Sequence, residues 1–399
     1  MAESPLLVLS DMHLGPAAPR GADIALGTLF DRYGDSEVVF LGDLIDLSAE
    51  TSRLGLEAVT QRLWQTYPAF AHALASHLAQ GKRVTLVTGN HDAELSEPGT
   101  RGALLESLNL APDSPLCIEP WFVHRGSIHF EHGHLWDPDN APIHPLAPAN
   151  RRHEPLGVAL TRQVLAPTGA FQFAHAHNTT PLQGLFQVLR ELGLRAPELI
   201  VRYFVAGAKI LLSAASSGSR TLYRQGALAI EDYANGRALS SDVVRTLESL
   251  RPTPRHADPG AVFARLYLDR ALATVLTAVS STLGLVKLES TYLLLTAAGL
   301  LYLTLSKGDR SFRYSASLLD RVRDAAIQIG PVVDARLIVF GHTHVPEAVP
   351  GYINTGAFGF PNGDGRPFLL VHANGTLERG YMDRVSAIRV EPIPVSCAS

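Results

Sequence analysis

Five short apolar runs, each cut off by a cluster of Asp, Asn or His, constrain this chain more than any other feature. Leu6–Ser10 ends at Asp11-Met12-His13, and Val38–Leu41 ends at Gly42-Asp43. Val84–Thr88 ends at Gly89-Asn90-His91-Asp92, Ile128–Glu131 at His132-Gly133-His134, and Leu337–Phe340 at Gly341-His342-Thr343-His344. Runs this short and this aliphatic read as strands, most of them buried on both faces. Residues 22–32 and about 54–80 carry apolar side chains at helical spacing between the first strands. Strand–helix–strand units of this kind predict an α/β fold. In an open α/β sheet, ligands bind past the carboxyl ends of the strands, and every cluster sits there. The glycines allow sharp turns and close backbone approach. The alternation in His342-x-His344 predicts two imidazoles on one side of an extended segment.

The same grammar resumes near the C-terminus. Tyr352–Asn354, Phe368–His372 and 376–382 read as strands, the last two joined through an Asn374-Gly375 turn. Residues 143–335 break the pattern: they are Leu- and Ala-rich, strand-poor and predominantly helical. The expected organisation is therefore a core from 1–142 and 336–385, a helical insertion over 143–335 and a C-terminal tail over 386–399. The insertion would serve as a lid or a membrane-proximal subdomain.

With 46% hydrophobic and 18% charged residues over 399 positions, global disorder is excluded. Only Cys117 and Cys397 are present, which rules out a disulfide scaffold and a cysteine-based zinc fold. The start, Met1 to Leu9, lacks a basic segment ahead of its short apolar run and does not read as a secretory signal. The expected location is cytoplasmic. Net charge is −4, but it is unevenly spread: residues 143–335 hold 21 Lys and Arg against 14 Asp and Glu, a net of +7. The remainder is then −11. An acidic part suited to cations is interrupted by a basic part suited to phosphate or an anionic surface.

A mixed set of Asp, Asn and His suits Mn, Fe, Zn or Co rather than Ca. The five blocks, D-x-H, G-D, G-N-H-D, H and G-H-x-H, occur in order across residues 11–344. In this the chain resembles the calcineurin-like metallophosphoesterase family. The resemblance implies a four-layer α/β/β/α sandwich and two divalent ions, Mn first among them. One ion would be held by Asp11, His13, Asp43 and His344, the other by Asp43, Asn90, His132 and His342, with Asp43 bridging. A hydroxide shared by the ions would attack phosphorus in line. His91 would contact the phosphate and protonate the leaving group. Asp92 would accept a hydrogen bond that fixes an imidazole tautomer, and His134 would touch substrate. His72, His77, His175, His177 and His256 read as surface or packing residues.

The expected activity is metal-dependent phosphoester hydrolysis on a lipid-linked or membrane-proximal phosphate. Protein phosphatase and nucleotide phosphodiesterase activities are alternatives within the class, and a non-catalytic scaffold of the same fold is the alternative outside it. Nucleic acid is disfavoured, because the basic residues are scattered without interleaved aromatics. Between Ala271 and Ser306 only Lys287 and Glu289 are charged, which marks subdomain core, an acyl-chain groove or a hairpin entering one leaflet. A peripheral position on the inner face of a membrane follows from the last two readings. UDP-2,3-diacylglucosamine pyrophosphatases are similar in their metal blocks and their helical lid, but they usually carry Arg where this chain has His91.

Overall fold

The structure, a computed structural model, describes residues 4–16, 21–50, 55–171, 189–191, 193–287, 289–306, 318–383 and 386–393. His175 and His177 lie outside the described residues. Two sheets face each other. The first holds seven strands in the order β12-β11-β10-β1-β2-β3-β4. In chain order these are β1 (Leu6–Leu9), β2 (Glu37–Leu41), β3 (Val84–Val87), β4 (Leu116–Glu119), β10 (Arg366–Val371), β11 (Leu377–Met382) and β12 (Ile388–Pro392). β1 to β4 are mutually parallel, and β10 to β12 are added antiparallel along the β1 edge. The second sheet runs β5-β6-β7-β9-β8, with β5 (Phe122–Arg125), β6 (Ile128–Glu131), β7 (Leu337–Phe340), β8 (Glu347–Val349) and β9 (Tyr352–Asn354).

Alternation along the strands builds the layers. Leu6 and Val8 of β1, with Val39 and Leu41 of β2, face inward and meet Phe130 and Val339 of the second sheet. Leu7, Leu9 and Phe40 point outward onto helices α1 (Ala22–Arg32), α2 (Leu56–Thr66), α3 (Pro68–Ala79) and α4 (Thr100–Ser107). The single helix expected over 54–80 is two, because Pro68 cannot continue a helix through Tyr67 and instead starts α3.

The outer layer on the second sheet comes from within the span read as an insertion. Ile230 and Tyr233 from the helix Ile230–Asn235, Val244 and Leu247 from Ser241–Leu250, and Val322 and Ile329 from Leu318–Val333 pack on Phe122, Phe340 and Tyr352. Parts of residues 143–335 are thus a layer of the sandwich rather than an appendage. Residues 388–392, read as tail, pair with β11 as an edge strand; their Ile-x-Val alternation fits a ladder with one exposed face. A smaller core, including Leu156, Ile210, Val262 and Leu266, joins the helices Leu156–Leu160, Ala196–Ala214 and Pro259–Arg265.

Candidate metal centre

The parallel strands deliver their carboxyl ends to one line between the sheets. Asp11 and His13 follow β1, Asp43 follows β2, Asn90 to Asp92 follow β3, His132 and His134 follow β6, and His342 and His344 follow β7. The sheets are stitched together here. His342 N–H donates to Asp11 Oδ2 (2.9 Å), and Phe358 N–H to Ser10 O (3.0 Å).

Five of these residues hold a left-handed backbone: Asp11 (φ 52°), His13 (φ 46°), Asp43 (φ 52°), His342 (φ 67°) and His344 (φ 60°). Each such residue costs roughly 1 kcal/mol or more, although Asp and His tolerate the region better than most. The segment after β7 is therefore a turn, not the extended piece expected from His-x-His. A strand would keep its pleat, whereas left-handed steps bend the chain so that successive side chains converge on the gap. Gly42 also has a positive φ (82°), and a Cβ there would lie 2.3 Å from the His132 ring. Gly89 has no such φ; its role is close approach, since a Cβ would come within 2.2 Å of Asp43 Oδ1.

Three groups of side chains bring ligand atoms within 4.8 Å of one another: Asp11, His13 and His344; Asp11, Asp43 and His132; and His13, Asp46 and His91. Asp43 Oδ2 sits between the first two groups, 3.6 Å from His13 Nε2 and 3.2 Å from His132 Nε2. His344 Nε2 is 3.1 Å from Asp11 Oδ1. Asp11 and Asp43 are fully buried, and no Lys or Arg reaches them as an ion-pair partner among the described residues. Asp11 Oδ1, Asn90 Oδ1 and His132 Nε2 are buried without a hydrogen-bond partner. Converging, desolvated oxygen and nitrogen donors around carboxylates whose charged neighbours are imidazoles alone are what divalent cations require, so the residues fit a dinuclear centre.

The surrounding hydrogen bonds orient the donors. His132 Nδ1 lies 2.8 Å from the Leu41 carbonyl, which fixes its tautomer and leaves Nε2 for a metal. His342 places Nε2 3.1 Å from Asp137 Oδ2 and joins none of the three groups. Asn140 donates to Asp137 (2.7 Å), and the Asn90 amide nitrogen points to Asn140 Oδ1 (3.3 Å). That contact turns the Asn90 carbonyl oxygen away from Asn140. Asp92 does not bind an imidazole: its carboxylate accepts from the backbone N–H groups of Gly89 and Leu44 (2.7 Å each), clamping the β2 and β3 loops together. The strand-end loops leave their own amides unpaired, and a buried carboxylate is the acceptor they find.

His91 stands beside the centre. Its backbone N–H donates to Asp43 Oδ1 (2.8 Å), and its Nδ1 lies 3.0 Å from Asp46 Oδ1 and 2.6 Å from Ser48 Oγ. His134 is buried, its ring 5.3 Å from that of His132. Phe360 stacks on His344 at 5.5 Å. Asp46, Ser48, Asp137, Asn140 and Phe360 were not singled out from the sequence. Asp46 and Asp137 carried a usable signal, since each lies within five residues beyond a ligand-bearing block.

Electrostatics in the metal-free chain follow from burial and crowding. Burial pushes His13 down to about 4. Burial opposes charge on His91 and His132, but Asp46 and Asp43 beside His91 raise it to about 9, and Asp43 and Asp11 raise His132 to about 10. Burial would also raise Asp43, yet the neighbouring imidazoles hold it well below the usual carboxylate range. Asp92 goes the other way, to about 7, through burial and the Asp43 charge.

A cleft of about 740 Å³, open to solvent, runs from Asn90 and His134 past His144 to Arg151, His153 and Arg162. Arg162 lies on a π-helical turn, Thr161–Leu165, and ties the cleft wall to the metal loops through Leu47 O (2.9 Å), Glu154 (2.7 Å) and Glu94 (3.3 Å).

Residues 4–202 match the family model described as calcineurin-like phosphoesterase. This stretch carries the first four sequence blocks, and the fold brings the fifth, Gly341 to His344, to them. Neither the curated proteins nor the solved structures contain a match to the chain.

Proposed function

We propose that this calcineurin-like phosphoesterase hydrolyses a phosphoester at a dinuclear metal centre held by Asp11, His13, Asp43, Asn90, His132, His342 and His344, with His91 protonating the leaving oxygen. Membership of this family makes the chain a metal-dependent phosphoester hydrolase; the residue roles are our reading. When bound, two divalent ions of the Mn, Fe, Zn or Co class lower the pKa of a shared water and neutralise phosphoryl charge. The chain's own residues do the rest. The observation that carries the reading is Asp43 Oδ2 poised between His13 and His132, where this carboxylate would be shared by two ions. His91 is anchored through its backbone and Nδ1, so its free Nε2 serves as donor to a departing alkoxide. Asn90 and His134, at the inner end of the cleft, position the phosphoryl group, and Arg151 and His153 bind the remainder of the substrate.

The substrate reading is a lipid-linked phosphate or pyrophosphate, with the UDP-2,3-diacylglucosamine type as one option. It is supported by basic side chains in the cleft lining, Arg151 and Arg162 beside Glu94 and Glu154, and by the apolar helices attached to the same body. The ions are expected to be removable. Chelation should abolish turnover of nitrophenyl phosphate, and Mn²⁺ should restore it in the wild type. Asp43→Asn should recover neither metal nor rate, because its lost charge weakens both ion sites. Near-normal metal content and turnover in that variant would refute the bridge.

A further inference from the structure

The helices Leu268–Lys287 and Ser290–Leu305 form a hairpin that packs on itself; only its first residue, Leu268, packs against a hydrophobic core among the described residues. Its polarity is inverted. The side chains buried in the first helix are Thr277, Ser280 and Gly284. Across the seam, Ser281 Oγ lies 3.4 Å from Thr296 Oγ1, and a Cβ on Gly299 would strike Thr277. The outer surface is mainly aliphatic: Leu276 is 56% exposed, Leu285 78%, Leu294 71% and Leu305 67%, and the exposed Thr274, Thr282 and Thr304 donate to carbonyls of their own helices. A helix pair in water turns its apolar stripe to its partner and its polar face outward. Small and hydroxylated residues inside, with leucines outside, are the arrangement used where the surroundings are as apolar as the side chains.

We propose that this hairpin inserts into the apolar layer of an anionic bilayer and anchors the enzyme there. The occupant follows from the shape of the apolar surface. The second helix buries none of its residues, and exposed apolar side chains cover the sides turned away from the first helix. A groove or a second copy would cover one side; a lipid phase covers every side. Charges occur only at the foot, Asp269 and Arg270, and at the tip, Lys287 and Glu289. The uncharged stretch 271–286 is about 24 Å long at 1.5 Å per residue, short of a hydrocarbon core of about 30 Å. No single helix among the described residues is long and apolar enough to cross a membrane, so the hairpin enters and returns on one side. Beside its foot, the helix Ala196–Ala214 exposes Val201 and Leu212 along with Arg202 and Lys209, and Gly207 faces Leu268. Basic side chains at the edge of an apolar face match anionic headgroups. The inference extends the lipid-linked substrate reading but stands without it.

The test is flotation of the full chain with phosphatidylcholine–phosphatidylglycerol vesicles and with pure phosphatidylcholine vesicles, at low and high salt. The wild type should float, more tightly on the anionic vesicles and less so at high salt. Leu294→Asp with Leu301→Asp should lower partitioning at least about a hundredfold. Both side chains are exposed (71% and 60%), so Tm and turnover of soluble nitrophenyl phosphate should not change. Asp43→Asn should float like the wild type, so a failure of the phosphoesterase reading is distinguishable from a failure of this one. The proposal falls if the wild type stays with the soluble fraction, if the double substitution leaves partitioning unaltered, or if it lowers Tm by several degrees and so marks the hairpin as core. It also falls if the wild type is a lipid-independent dimer that the substitutions dissociate.

Discussion

Replacing His91 separates metal holding from proton transfer. His91 gives its backbone N–H to Asp43 and its Nδ1 to Asp46 and Ser48, and neither contact uses Nε2 as a metal ligand. His91→Ala should therefore retain both ions while the rate on alkyl phosphates falls by about 10²–10⁴-fold, the usual loss for a general acid. Asp46→Asn should cost less. It keeps an acceptor for Nδ1–H and loses only the charge-assisted part of the bond, about 1–1.5 kcal/mol, or roughly five- to thirteenfold. The assay is kcat/KM over a series of alkyl and aryl phosphates ordered by leaving-group pKa, with metal content measured on each protein. The wild type should depend weakly on the leaving group, and His91→Ala steeply, so that the deficit nearly vanishes for nitrophenol. Parallel plots for the two proteins would refute proton donation and make His91 a stabiliser of phosphoryl charge. Loss of metal would make it a ligand.

Two further outcomes follow from other parts of the structure. Gly89→Ala places a Cβ 2.2 Å from Asp43 Oδ1 and 2.7 Å from the Asp43 backbone nitrogen, and relieving those contacts moves the carboxylate by about 1 Å, beyond the roughly 0.5 Å a metal site tolerates; metal content should collapse and Tm should fall, and full occupancy would contradict the packing. His256 is buried and depressed from 6.5 to about 3, so the unfolded chain takes up its proton first and stability falls as pH drops from 6.5 toward 3, by about 1.4 kcal/mol per pH unit; urea midpoints of His256→Leu should lose that slope, and curves parallel to the wild type would refute it.

The strands that carry the site were legible because each is a continuous aliphatic run that stops at a polar block. Strands that touch solvent were not. β4 and β5 read Leu116-Cys117-Ile118-Glu119 and Phe122-Val123-His124-Arg125, mixed sequences with only their first residues buried, and they flank a Pro120-Trp121 step that looks like loop. β12 is an edge strand with mostly exposed side chains. The helices at 230–250 and 318–333 have ordinary amphipathic patterns. Nothing local says that their apolar faces meet the second sheet rather than each other, because for the helices at 230–250 that pairing is set by contacts about a hundred residues apart, as between Tyr233 and Phe122. At the centre, the blocks named the side chains that converge, whereas Asp46, Asp137 and Asn140 act through hydrogen bonds whose partners lie on other strands.

The hairpin shows the same limit in its energetics. From the sequence, an uncharged stretch over 271–306 is compatible with core, groove or membrane, since all three remove leucine from water. The three differ in which face the threonines and serines take. In a core or a lid they would sit outward, hydrated, with leucine against leucine. Here Thr277 donates to the Ala273 carbonyl and Thr296 to the Tyr292 carbonyl, each spending its hydroxyl on its own helix while facing the seam. A hydroxyl satisfied internally needs no water, and a small side chain in the seam lets the two backbones approach closely. The leucines that would have stabilised the pair in water are left facing outward, so the hairpin gains little by folding in water and much by entering an apolar phase.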